Sequence, residues 1–293
     1  MIGIFQGSMT AKERVLRTFN HEKADRVPIG YFANPGIQKR VAAALGVPAD
    51  KDSVNDALGV DFKGLMPAYT GKPLFTAPGP ERHVHPLTGA VTRWVANEDG
   101  GYWDYCDFPL AEADDEIIAN WPVPDPDDFD YDGLLEKCKA YGHKAVYFGH
   151  PGISDVMNNT GMIRGMENIY MDLALETESV MTLLDRRMKA ELAMFERALD
   201  KCRDYVDFIW TGEDLGTQRA PLISLDMFRA QIRPRHQPLV DLASSYGKPV
   251  MIHCCGSSSW AFEDFIEMGI RAVDTLQPEA ADMDPACLAR KYG

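Results

Sequence analysis

The sequence predicts an α/β fold on a parallel sheet, closed as a TIM (β/α)8 barrel rather than left open and doubly wound. Three observations carry that expectation. Strand-like and helix-like segments alternate along the chain, giving about six βα units, which calls for parallel strands joined by crossover helices. No GxGxxG or GxxxxGKS/T follows any strand, which weakens a nucleotide-binding reading. Polar chemistry gathers instead just after separate strands, in TGEDLGTQ, HCCGSSS and LQPEAADMD. Functional groups at the C-terminal ends of different strands are the barrel-enzyme arrangement.

The elements follow in order. Thr10-Ala11-Lys12-Glu13 has the capping-box form and opens the amphipathic segment ERVLRTFNH. VPIGYF, residues 27–32, is the first strand candidate, IQKRVAAALG a helix, and the segment Ala57–Met66 contains a second short strand. Residues 67–126 change character: Gly, Pro and aromatics rise, and runs such as AVTRWVAN and GYWDYCDFPL alternate apolar with polar. That stretch predicts a small β-hairpin insertion covering the barrel mouth within one domain spanning 1–293.

Beyond it, GLLEKCKAYG predicts a helix, KAVYFGH a strand (144–150), and residues 153–204 a long helical region with 3.6-residue periodicity. VDFIWTGEDLG (206–216) is a strand with its loop, and SLDMFRAQIRPRHQPLVDLASSYG a helix with Ser224 as N-cap. KPVMIHC is a strand, SSWAFEDFIEMG a helix, IRAVDTLQP a strand and DPACLARKYG a final helix.

With 293 residues, 45% hydrophobic and 25% charged, the chain is composed like a globular domain with a large core. A net charge of −14 argues against nucleic-acid or anionic-membrane partners, which need a positive field. No stretch approaches the roughly 20 apolar residues of a membrane span. The start, MIGIFQGSMTAKER, has neither basic n-region nor apolar h-region. The six cysteines are scattered, so they are expected to be reduced and the protein cytoplasmic.

Candidate site residues begin with His253 and Cys255. Side chains at i and i+2 on a strand point the same way, so imidazole and thiol can converge on one zinc ion. The bland reading is a polar mouth histidine beside a packed cysteine; Cys254 faces the opposite side, toward core. Glu213 and Asp214 lie in the loop of the 206–216 segment and are catalytic candidates: a metal ligand, a carboxylate orienting His253 or a general acid, against helix capping or loop charge. Only one of them can point inward, and the sequence leaves open which.

Gln218, Gln277 and Glu279 could reach the same mouth and bind substrate; Gln277 or Glu279 could instead complete a metal sphere, and Glu279 has helix capping as its alternative. His150 and Asn158-Asn159 could line it too, and Arg164 could bind an anion unless it is a surface helix arginine. Cys287 is expected to be buried in a helix. His83 and His85 share one face of the hairpin excursion and read as a solvated ribbon. Trp94, Tyr102, Trp103 and Tyr105 are either a lid or the excursion's own core.

TAKERVLRTFNHEKADRVPIGYF, GMENIYMDLALE, TGEDLGTQRAPLISLDMFRAQIRPRHQPLVDLASSYGKPVMIHCCGS and DTLQPEAADMD together resemble the uroporphyrinogen decarboxylase superfamily. Within it they look most like the branch of methylcobalamin:thiol (corrinoid-dependent) methyltransferases. The resemblance covers nearly the whole chain and implies a barrel with its site at the C-terminal mouth. Two departures matter. Uroporphyrinogen decarboxylases carry an Arg-Gln-Ala-Gly-Arg run after the first strand, whereas Tyr31-Phe32-Ala33-Asn34-Pro35-Gly36 stands here, with no arginine before Arg40. Their substrate-binding aspartate also has no counterpart in GLMPAYTG, and porphyrinogen carboxylates left unpaired would be costly. The methyltransferases ligate zinc with His-x-Cys and a further cysteine near the last strands. Here His253 and Cys255 match, but the sequence is expected to lack the last two βα units.

The resemblance thus implies a zinc-dependent methyltransferase, with Zn2+ at His253 and Cys255 and methylcobalamin delivered by a partner corrinoid protein. A small-molecule thiol or other one-carbon acceptor takes the methyl group, and a homodimer is one expected assembly. The alternative is a cofactor-free decarboxylase (a lyase), and the third reading a non-catalytic barrel that binds a corrinoid or porphyrin.

Overall fold

The strands Phe62–Leu65, Ala145–Gly149, Phe208–Gly212, Val250–His253 and Ile270–Asp274 form one sheet in a computed structural model that describes residues 7–98 and 100–293. All four neighbouring pairs are parallel, and their spatial order follows their order in sequence. The predicted α/β class with a parallel sheet is therefore present. Among the described residues the sheet has two edges, Phe62–Leu65 and Ile270–Asp274.

Residues 27–32, expected as the first strand, are extended but join no ladder. Only Ile29 engages its neighbour: its carbonyl accepts from the Asp61 N–H at 2.9 Å, and its N–H donates to the Asp61 carboxylate at 2.8 Å. Pro28 has no N–H to offer. The Asp61 side chain, held by Arg14 and Arg26 at 2.6 Å each, stands where a backbone acceptor would otherwise be.

Alternation along the strands divides the interior. Odd-numbered Ala145, Tyr147 and even-numbered Phe208, Trp210 pack with Val15 and Phe19 on one face, joined by Phe62, Met251 and Ala272. Val146, Phe148, Ile209, Val250 and Ile252 face the helix layer and the main core. Phe148, Phe195, Phe228 and Phe265 are almost fully buried there. Burial of each such ring contributes about 2–3 kcal/mol before entropy is counted.

The helices follow local rules. The capping box is formed: the Thr10 hydroxyl accepts from the Glu13 N–H at 3.2 Å, and Glu13 accepts from the Thr10 N–H at 2.9 Å. The predicted region 153–204 is three helices, Met157–Arg164, Met166–Leu175 and Glu178–Cys202. Gly165 (φ 91°) and Glu176 (φ 53°) turn the chain between them. Ser224 caps as predicted, accepting from the Met227 N–H at 3.1 Å. Its helix then widens into a π segment over Phe228–Ile232 before continuing as Arg233–Ser245. Pro234 cannot donate back to the carbonyl of Ala230, so the wide turn falls where an α bond is missing.

Within 67–126 lie a three-stranded antiparallel sheet, His83–Val84, Val91–Val95 and Tyr102–Cys106, and the helix Asp115–Ala119. Among the described residues no helix is long and apolar enough to cross a membrane.

Candidate metal centre

Three parallel strands end together at this site. Gly212 pairs with His253, and His253 in turn with Asp274, so the C-terminal ends of these strands are in register. Gly212 is needed there: a Cβ at that position would fall 2.0 Å from the Pro151 carbonyl oxygen of the loop crossing over it.

The alternation of the 208–212 strand continues two residues past its end. Asp214 stays on the face of Phe208 and Trp210, while Glu213 turns with Ile209 toward the helix layer. The same holds one strand over: His253 and Cys255 share the face of Met251, and Cys254 is buried in the main core as predicted.

One ligand atom each from Asp214, His253 and Cys255 lies within 4.8 Å of the others. The Cys255 Sγ is 3.3 Å from the His253 Nε2, and the Asp214 Oδ1 is 3.5 Å from the same nitrogen. The other ring nitrogen, Nδ1, is 2.9 Å from the Asp274 Oδ2 and 3.2 Å from the Thr275 Oγ1. Thr275 adopts φ 61°, a conformation a β-branched residue rarely takes, and its hydroxyl also donates to Asp274 at 3.1 Å. Asp214 is held from two sides: Oδ1 accepts from the Cys255 N–H at 2.8 Å and Oδ2 from the Asn158 amide at 3.0 Å.

The two separations from the His253 Nε2 fit a zinc ion. Bonds of about 2.0–2.3 Å in a tetrahedral sphere give ligand-to-ligand edges of about 3.3–3.6 Å. One sulfur, one imidazole and one carboxylate make a mixed donor set in which a fourth position stays open, as in catalytic sites. The electrostatics agree. Burial pushes the His253 pKa down, yet the bond to Asp274 and the neighbouring Cys255 and Asp214 override it and raise it to about 10. An imidazole so placed is surrounded by groups that favour positive charge. Trp210 stands 6.4 Å from the His253 ring, and its indole N–H is buried without a partner among the described residues.

Glu213 does not reach the centre. It is fully buried, accepting from the Val156 N–H at 2.8 Å and the Met157 N–H at 3.0 Å, with His236 Nε2 at 3.1 Å. It therefore caps the start of the Met157–Arg164 helix, and burial raises its pKa to about 8. Of the two carboxylates the sequence left open, Asp214 is the one that points inward.

Gln277 and Gln218 lie beside the centre. The Gln277 Oε1 accepts from the Gly256 N–H at 2.8 Å and from the Gln218 amide at 2.7 Å, tying three loops together. Glu279 is exposed and is not among the converging groups. Arg164 is not free for an anion: it pairs with Asp172 at 2.9 Å and donates to the Leu110 carbonyl at 2.6 Å. His150 is exposed and lines the cavity beneath the excursion; it is not among the converging groups. Cys287, expected to be buried, is exposed at the first turn of Pro285–Tyr292.

Trp94, Tyr102, Trp103 and Tyr105 are 42–52% exposed and form no core for the excursion; Trp103 and Tyr105 line a cavity beneath it. Asp274 and Thr275 were missed. The signal for Asp274 was its place at the end of a strand adjacent to that of His253.

Fold and centre together define an α/β protein with a candidate metal site at the C-terminal ends of its parallel strands. The fold is similar to that of a methyltransferase from Methanosarcina mazei, with a TM-score of 0.57. The two share 16% sequence identity over 91% of this chain and 76% of the other, so the likeness is one of fold. No protein-family model and no curated protein matches the sequence.

Proposed function

We propose that the chain is a zinc-dependent methyltransferase that moves a methyl group from a corrinoid on a partner protein to a small-molecule thiol or other one-carbon acceptor. The observation that carries this reading is the convergence of the Asp214 carboxylate, the His253 imidazole and the Cys255 thiol within 4.8 Å at adjoining strand ends. The likeness of fold to a methyltransferase supports it, as does the resemblance of the sequence to the corrinoid-dependent branch of the uroporphyrinogen decarboxylase superfamily.

Asp214, His253 and Cys255 would hold the ion. When bound, zinc supplies Lewis acidity that keeps a coordinated acceptor thiol as thiolate at neutral pH. Asp274 keeps the His253 proton on Nδ1 and so leaves Nε2 as a ligand. Asn158 and the Cys255 N–H fix the rotation of the Asp214 carboxylate. The two anionic side chains, Asp214 and Cys255, offset a divalent charge.

The test begins with elemental analysis and zinc X-ray absorption on purified protein. One zinc per chain with a single sulfur ligand is expected, together with methyl transfer from methylcobalamin to a thiol that stops on chelation. His253→Ala and Cys255→Ala should lose the ion while keeping native circular dichroism. A preparation free of zinc, in which His253→Ala is as active as the parent, would overturn the reading.

A further inference from the structure

Beneath the antiparallel sheet of the excursion lies a cavity of about 610 Å³, walled on its other sides by the 150–153 loop and the Glu178–Cys202 helix. That volume falls in the range of small-molecule sites. Trp103, Tyr105, Trp121 and Phe129 give it flat aromatic walls. Its charged residues are one of each sign and both are engaged elsewhere. Arg187 donates to the Thr160 hydroxyl at 2.8 Å, and Glu191 accepts from the Ser154 N–H at 2.9 Å. The cavity therefore offers no net charge for an ion, although the chain carries −14 overall.

His85 and His150 also line it, and their tautomers are fixed by the backbone. A main-chain N–H can only donate, so a ring nitrogen facing one must be an acceptor. The Leu87 N–H meets the His85 Nδ1 at 3.4 Å, and the Gly152 N–H meets the His150 Nδ1 at 3.0 Å. In both neutral rings the proton must therefore sit on Nε2, and neither Nε2 has a partner among the described residues. Desolvation against the cavity wall lowers both pKa values from the ordinary histidine value, although both residues keep an exposed side.

We propose that this cavity binds an uncharged, planar, largely apolar molecule carrying a hydrogen-bond-accepting oxygen, held by the Nε2–H groups of His85 and His150 between the aromatic walls. A ligand without such an oxygen would forgo both hydrogen bonds. An anion would meet Glu191 and no free cation. The inference goes beyond the methyltransferase reading and needs no ion.

The test uses zinc-stripped full-length protein, so that loss of the metal reading leaves it standing. The probe is 6-propionyl-2-(dimethylamino)naphthalene, a neutral planar ketone whose emission shifts to the blue in apolar surroundings. The matched probe is 2-(dimethylamino)naphthalene, which lacks the ketone. Saturable 1:1 binding is expected, with the ketone held about tenfold more tightly than its matched probe. His85→Phe with His150→Phe keeps two rings but removes both donors, and should abolish that preference while leaving the ketone-free probe unchanged. Ala190→Trp, filling the cavity from the long helix, should prevent binding of both probes. Circular dichroism checks each fold, and the Phe variants decide the matter if Ala190→Trp misfolds. No saturable binding, or a ketone preference that survives the Phe variants, overturns the proposal.

Discussion

His253 and Asp274 face each other in register on adjacent parallel strands, and their side chains meet at 2.9 Å between Nδ1 and Oδ2. This one bond decides what the imidazole can do. It holds a proton on Nδ1 and directs Nε2 toward the Cys255 Sγ, 3.3 Å away, so an ion arriving there would displace only the Nε2 proton. The ring is thereby a ligand in waiting rather than a free base.

Removing the carboxylate should loosen the ion without unfolding the chain. Asp274 is about a third exposed and sits at a strand end, so Asp274→Ala costs little packing. Zinc affinity, measured by competition with a chromophoric chelator, is expected to fall by about 10–100-fold. Asp274→Asn keeps a neutral acceptor for Nδ1–H and should fall less. Equal losses in the two variants would contradict a positioning role for the charge.

Cysteine reactivity offers a second check. Cys106, Cys138, Cys202 and Cys254 are buried, Cys287 is exposed and Cys255 is half-buried. Native zinc-stripped protein treated with iodoacetamide should be alkylated at Cys255 and Cys287 only, as read by mass spectrometry. Added zinc should slow Cys255 at least about tenfold and leave Cys287 unchanged. Protection of neither thiol would remove Cys255 from the ligand set.

Much of this site could be read from the chain because strands have a period of two. His253 with Cys255 needed only that rule. Asp214 follows from it too, since 208, 210, 212 and 214 share one parity, but only if the alternation persists into the loop, which sequence does not reveal. Asp274 was hidden for a different reason. Its partnership with His253 depends on the register between two strands separated by a helix, and that register is tertiary information. Arg164 failed in the opposite sense. A helix arginine looks free in sequence, while Asp172 and two carbonyls claim it in space. Residues 27–32 failed because Asp61 competes for their backbone.

The neighbours Glu213 and Asp214 should respond to mutation in opposite ways. Glu213→Ala leaves the Val156 and Met157 N–H groups buried without acceptors. Chemical denaturation should show a loss of about 2–4 kcal/mol, with zinc stoichiometry unchanged in the folded fraction. Asp214→Ala should keep nearly full stability and lose zinc affinity. The pair separates a capping carboxylate from a ligand, and any reversal of the pattern would exchange their roles.

His236 gives the fold a defined weakness in acid. It is 2% exposed on the Arg233–Ser245 helix, with Nε2 against Glu213 and Nδ1 buried without a partner among the described residues. Burial lowers its pKa to about 4, against smaller opposing effects of Asp155 and Glu191. The folded value thus lies below the unfolded one of about 6.5, so between those values the unfolded chain binds more protons. Its contribution to stability is complete above pH 6.5 and is lost as pH falls toward 4. The slope approaches about 1.4 kcal/mol per pH unit within that window. His236→Gln cannot take up the proton, so its unfolding free energy should fall less steeply than the parent's between pH 6.5 and 4.5, even if it is lower at pH 7. Parallel curves for parent and variant across that range would show that the imidazole is already charged in the native core.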